Sequence, residues 1–100
     1  MDVPSGILVA IAMKYKVDYQ TIEGLKRLKK IAKEDLREIR AAIEEKLTVA
    51  PVWFGKPLQH SLRGHRRLRV GNYRVIYRIV RDVVKIIHIA HRSVVYRDAA

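Results

Sequence analysis

One hundred residues make one small domain with a single modest core, and leave no room for a separate cofactor domain. Its 21 Lys and Arg against 10 Asp and Glu give a formal net charge of +11, the electrostatic footprint of a nucleic-acid binder; a membrane surface or an acidic partner are the other sinks for such charge. Cysteine is absent, which excludes a disulfide framework and thiolate metal sites and suits a reducing cytoplasm.

The chain opens on "MDVPSGILVAIAM", whose apolar run Ile7–Ala12 falls far short of the roughly 20 residues needed to cross a bilayer. No basic segment precedes that run, so no signal peptide is expected. Residues 1–12 are either an extra strand or tail, or an extension upstream of a start at Met13; residues 13–100 are expected to form one domain. "MKYKVDY", residues 13–19, alternates Tyr15, Val17 and Tyr19 against Lys14, Lys16 and Asp18, the period of a half-buried strand. From Gln20 the period lengthens. Ile22, Leu25, Leu28 and Ile31, then Leu36, Ile39, Ile43 and Leu47, mark two amphipathic helices over about 20–48, broken at Lys33-Glu34-Asp35, where acids suit a first turn. "APVWFGKPLQ", residues 50–59, reads as a loop whose Trp53 and Phe54 are expected to plug the core, with stacking platforms as the other reading. "HRRLRV", "YRVIYRIV" and "VVKIIHIAH" then read as three strands joined at Gly71-Asn72 and Arg81-Asp82. The order β-α-α-β-β-β predicts an α+β domain, an α-hairpin packed on a small antiparallel sheet.

A two-residue turn at Gly71-Asn72 sets Val70 against Tyr73, Arg69 against Arg74, Leu68 against Val75 and Arg67 against Ile76. One face then carries Leu68, Val70, Tyr73, Val75, Tyr77 and Ile79, with Arg66 at its edge. The other carries His65, Arg67, Arg69, Arg74, Ile76, Arg78 and Val80. The same register carried across Arg81-Asp82 brings Lys85 opposite Arg78, Ile87 opposite Ile76 and His91 near Arg74, and leaves His88 on the apolar side. Arg69 facing Arg74 is a like-charge pair, unfavourable by up to about 1 kcal/mol. Between Arg63 and Arg97 the only acid is Asp82. Such a face awaits an anion, and the planar guanidinium, able to make two parallel hydrogen bonds, suits phosphate.

The sequence has no metal-ligand spacing, no Gly-rich phosphate loop and no acid pair among the arginines, so neither metal nor cofactor is expected. What remains is metal-free phosphoryl transfer, with arginines stabilising the charge of a pentacovalent phosphate while His, Tyr or Lys moves protons. Its convenient nucleophile is the 2′-OH of RNA, which DNA lacks.

Three stretches carry a resemblance: "LKRLKK" in the first helix, "GKPLQHSLRGHRRLRVGNYRVIYRI" through the hairpin, and "IAHRSVVYRD" at the end. Through them residues 14–97 resemble the RelE-type ribonuclease toxins of the RelE/ParE superfamily. "AHR…VY" leans toward the RelE branch over the ParE gyrase inhibitors. The resemblance implies an N-terminal α-hairpin on an antiparallel sheet. It also implies cleavage of mRNA in the ribosomal A site by 2′-OH attack, giving a 2′,3′-cyclic phosphate and a free 5′-OH. By the same resemblance Arg74 stabilises the transition state, Arg92 aids the leaving group and Tyr96 orients or stacks on the substrate; for Arg92 rather than His91 to reach Arg74, the third strand must end before the pair or carry a bulge. Arg67 and His65 stand where a well-studied branch has lysines. Because arginine stays protonated, His65, His91 or Tyr96 is left as the base. Lys56, Arg66, Arg69, Arg78 and Lys85 complete the expected phosphate-binding set. Ribosome, mRNA and a cognate antitoxin are the expected partners, with no membrane. A gyrase-inhibiting binder, or a toxin fold without activity, are the competing functions.

Overall fold

The computed structural model describes residues 15–28 and 31–93, with backbone alone for 25–28. Residues 1–12, expected to be an extension, and Tyr96, expected in the site, lie outside the described residues. The elements run β1 (Lys16–Asp18), α1 (Gln20–Leu28), α2 (Lys33–Ala42) continuing into a π-helical stretch (Ile43–Leu47), α3 (Pro51–Phe54), β2 (Lys56–Pro57), a 3₁₀ turn (His60–Leu62), β3 (Arg66–Val70), β4 (Tyr73–Val80) and β5 (Val83–His91). This is the expected α+β order with two short additions, α3 and β2. Five strands form one sheet in the order β1-β5-β4-β3-β2, in which β1 lies parallel to β5 and the other pairs are antiparallel.

The chain enters α1 through Asp18, whose carboxylate accepts from the Gln20 amide at 3.0 Å, so a local side-chain acceptor serves an otherwise orphaned helix donor. α2 starts at Lys33 with Glu34 and Asp35 in its first turn, where negative charge meets the positive end of the helix dipole. Its apolar stripe, Leu36, Ile39, Ile43 and Leu47, is buried, each residue contributing about 1.5–3 kcal/mol by leaving water. Against it lie Leu68, Val70, Val75, Tyr77, Val84, Ile86 and Ile89 from the sheet, with Ile22 from α1. Tyr15, Val17 and Tyr19, the apolar side of the first strand, pack at the margin of this core. The Tyr19 hydroxyl donates to Glu44, Arg40 lies over the Tyr19 ring at 4.2 Å, and Arg40 also pairs with Glu23 at 3.3 Å. These contacts fasten both helices to the end of β1.

Residues 50–55 depart from the expected loop. Proline at the first helical position presets φ and gives up an amide that would have no helical partner, so Pro51 opens a single turn, α3. Two anchors hold that turn to the sheet. The buried Tyr77 hydroxyl donates to the Pro51 carbonyl at 2.5 Å, and one Arg66 nitrogen donates to the carbonyls of Val52 and Gly55, both at 2.6 Å. Gly55 packs so closely that a Cβ there would overlap the Tyr77 hydroxyl and ring. With its backbone anchored inward, α3 turns its side chains outward. Trp53 is 83% exposed and Phe54 43%, so neither plugs the core.

The hairpin at Gly71-Asn72 has the expected register, Val70↔Tyr73 to Arg67↔Ile76, with Gly71 at φ +55, a backbone region glycine enters without a Cβ clash. Replacing Tyr77 by Phe leaves the Pro51 carbonyl without its buried donor and should lower stability by about 1–3 kcal/mol, read as a lower urea midpoint at unchanged slope. Gly55→Ala should destabilise as well, because Tyr77 must move to admit the methyl group. Burial raises the Tyr77 phenol above its ordinary value, against a smaller lowering by Arg66. Its contribution to stability is therefore complete below about pH 10 and is lost as pH rises beyond it. Alkaline unfolding curves of Tyr77→Phe should be flatter than those of the parent.

Candidate nucleic-acid interface

The alternation that sends Leu68, Val75 and Tyr77 to the helices sends their neighbours to the opposite face. Strand pairing then builds three rungs across the sheet. Lys56, Arg67, Ile76 and His88 align across four strands; Arg69, Arg74 and Ala90 form the next rung; Arg78, Lys85 and Asp18 form a third on the other side. Arg69, Arg78, Lys85 and Lys56 are exposed, while Arg67 and Arg74 are half-buried. Ile76, at the centre of the face, is only 2% exposed.

A β-bulge sets the third strand's contribution. Ile76 pairs with His88 while Tyr77 pairs with Ile86, so Ile87 is the extra residue and the alternation of β5 reverses beyond it. The uninterrupted register carried over from the turn at Arg81-Asp82 therefore fails past Ile86. Ile87 is not opposite Ile76, His88 leaves the apolar side and joins the arginine face, and His91 leaves Arg74 for Tyr73. Packing explains the bulge. Both Ile86 and Ile89 are buried in the core, and a spacing of three reaches one face twice only if a residue is looped out. By the same alternation Arg92 follows Ala90 onto Arg74's side. Its amide donates to the Asn72 carbonyl at 2.6 Å, extending the β4–β5 pairing past His91, and its side chain is exposed.

His91 stands in different chemistry. Its ring meets Tyr73 edge-on at 5.4 Å, and its Nδ1 lies 2.9 Å from the Ser93 hydroxyl. The Tyr73 hydroxyl donates to Asp35 at 2.9 Å, a bond that raises the phenol's pKa because it favours the protonated form. Asp35, Glu38, Tyr73 and His91 line a recess of about 280 Å³ between α2 and the hairpin turn, an acidic setting unsuited to phosphate. His65 precedes β3, and its Nδ1 is buried without a hydrogen-bond partner among the described residues. Arg66, expected to hold phosphate, pairs with Tyr77 on the helix side, where its guanidinium clamps α3. Two residues of this surface escaped the sequence. His88 was hidden by the bulge, whose only trace is the run Ile86-Ile87, apolar in either phase. Asp18 came from a distant strand to stand beside Lys85. Among the described residues no group of acids, histidines or cysteines is arranged to hold a metal ion, and no helix is long and apolar enough to cross a membrane.

The family model described as the ParE toxin of the type II toxin–antitoxin system, parDE, matches residues 20–96. The chain belongs to this toxin family. It is also 49% identical over 49 residues to the toxin RelE of Mycobacterium tuberculosis (strain ATCC 25618 / H37Rv), a match covering 47% of this chain and 50% of that protein. The chain thus spans about half the length of this curated relative. Among solved structures, the toxin–antitoxin complex RelBE2 of Mycobacterium tuberculosis is similar with a TM-score of 0.69 and 30% identity, over 82% of this chain and 95% of that one.

A charged face of this kind should bind single-stranded RNA with strong salt dependence. In anisotropy titrations with a 2′-O-methyl oligoribonucleotide, Arg69→Ala and Arg78→Ala should each reduce the slope of log affinity against log salt by about one unit. Arg66→Lys and His91→Ala should leave the slope unchanged, since neither side chain lies on the face.

Proposed function

We propose that this chain is an endoribonuclease toxin that cuts mRNA on the ribosome and is held silent by a cognate antitoxin in the cytoplasm. The observation that carries the reading is the second rung, where Arg69 and Arg74 face one another beside Arg92's position on a sheet side rich in cations. The matches to toxin RelE and to a RelBE2 complex support the RelE-like activity and the antitoxin.

In this mechanism the face binds the RNA backbone through Lys56, Arg67, Arg69, Arg78 and Lys85, which places one phosphate near Arg74. A base removes the proton of the adjacent 2′-OH, and the oxygen attacks that phosphorus. Arg74 stabilises the added negative charge of the pentacovalent state, and Arg92 neutralises charge on the departing 5′-oxygen. The bond to that oxygen breaks, the oxygen takes up a proton, and a 2′,3′-cyclic phosphate and a free 5′-OH result. We assign the base to His88, the imidazole that the bulge brings onto Arg67's rung. Arg67 serves in charge stabilisation, because a guanidinium stays protonated. Tyr96 would orient the substrate base.

In vitro translation with primer extension tests the reading. Codon-phased cuts should appear with purified toxin and fall at least a hundredfold with Arg74→Ala, the scale of losing one preorganised charge donor. His88→Ala should lower the rate by roughly 10²–10⁴-fold and remove a limb of its pH profile, whereas His91→Ala should retain activity. Intact mRNA with the parent protein would sink the nuclease reading. A second function, inhibition of DNA gyrase by binding, is favoured by the family model, which is that of the ParE toxin. Gyrase trapped on supercoiled DNA, with message uncut, would support it.

A further inference from the structure

Among the described residues the most exposed large apolar side chain belongs to neither the core nor the arginine rungs. Val52 is 59% exposed, Trp53 83% and Phe54 43%, all on the single turn of α3. An apolar cluster that merely escaped burial would sit on a loose loop. This one is clamped from beneath by the Tyr77 hydroxyl on Pro51, by Arg66 on Val52 and Gly55, and by the glycine packed against Tyr77. A side chain with so much exposed ring on so fixed a base is preorganised for a partner.

Charge identifies the class of partner. Lys46 stands 5.9 Å from the centre of the Phe54 ring, and Lys56 follows Trp53 by three residues, at most about 11 Å of backbone. Lys56 is also the first member of the rung that runs through Arg67 to His88. α3 is held from the helix side of the sheet, and Lys56, directly after Gly55, joins its backbone to the edge of the cationic face with no acid in between. Aromatic rings flanked by cations at the edge of a phosphate-binding track are an arrangement that holds unpaired bases by stacking.

We propose that Trp53 is a stacking platform for an unpaired RNA base, extending the phosphate-binding face beyond the sheet edge. This proposal rests on the nucleic-acid reading of that face and adds a base contact to it. Stacking on a ring tolerates any base, so the contact would contribute affinity more than sequence preference.

Trp53 is the chain's only tryptophan, so intrinsic emission reports this site alone. The toxin, freed of antitoxin, is titrated with a labelled 2′-O-methyl oligoribonucleotide, which cannot be cut, while anisotropy and tryptophan emission are read together. Emission should be quenched in step with binding. An oligomer of equal charge with abasic positions should bind more weakly and quench little. Trp53→Ala should weaken binding about tenfold at an unchanged melting temperature, since the ring is exposed, and Trp53→Phe should recover much of the loss. Binding seen by anisotropy with unaltered emission overturns the platform while leaving the basic face standing. Absence of both signals overturns the platform and the RNA reading together. Emission unaltered by RNA but blue-shifted by the co-purified antitoxin would make the tip a protein dock, and would equally overturn the proposal.

Discussion

One apolar contact determines where the cations of this sheet point. Leu68, Val75, Tyr77 and Val84 must meet the stripe of α2, and in a strand every second residue then faces away. Slipping β3 by one residue would turn Arg67 and Arg69 toward the helices, and slipping β4 would turn Arg74 and Arg78 there. The several kcal/mol needed to strip water from each unpaired guanidinium forbid either. Burial on one face thus enforces, on the other, the juxtaposition of Arg69 and Arg74 that local charge repulsion opposes. The cost is met by the core, and the binding surface is what remains.

The bulge at Ile87 belongs to the same constraint. The core claims both Ile86 and Ile89, three residues apart, and β5 meets the demand by looping out one residue. The consequence for function is a reassignment of histidines. His88 moves among the arginines and His91 moves to Tyr73 and the acids of α2. Arg92, two residues past Ala90, falls on Arg74's side. A single inserted residue therefore decides which imidazole can serve as a base on this surface and which belongs to the packing between strand and helix.

Much of this was legible in the sequence because its signals are periodic. The helical stripe, the two-residue turn and the alternation of β3 and β4 each follow from spacing that one face of a core imposes, and the arginine face follows from the alternation. What escaped was whatever depends on distant partners. A bulge in β5 was one of two ways to bring Arg92 to Arg74, but Ile86-Ile87 is apolar in either phase, so nothing within the strand shows where it slips. Trp53 and Phe54 look like core residues until Tyr77 and Arg66, more than ten positions away, are seen holding their backbone instead. Arg66 itself reads as one more phosphate ligand, and only its place opposite Tyr77 turns it into a clamp. Asp18 reaches Lys85 through a parallel pairing that no local pattern predicts.

The toxin family supplies a setting in which such a surface has work to do, and the face sorting brings together what the proposed cleavage needs: arginines on one side of the sheet, an imidazole beside them, and an aromatic tip near the edge. In the proposed function, nucleic acid engages the sheet face opposite the helices. The most direct test follows the arginine Nε–Hε resonances by NMR during titration with an uncleavable RNA. The account predicts that Arg67, Arg69, Arg74 and Arg78 shift together, while Arg37 and Arg40 on α2 and the clamping Arg66 stay in place. Shifts confined to Arg37 and Arg40, with the four sheet arginines unmoved, would contradict it.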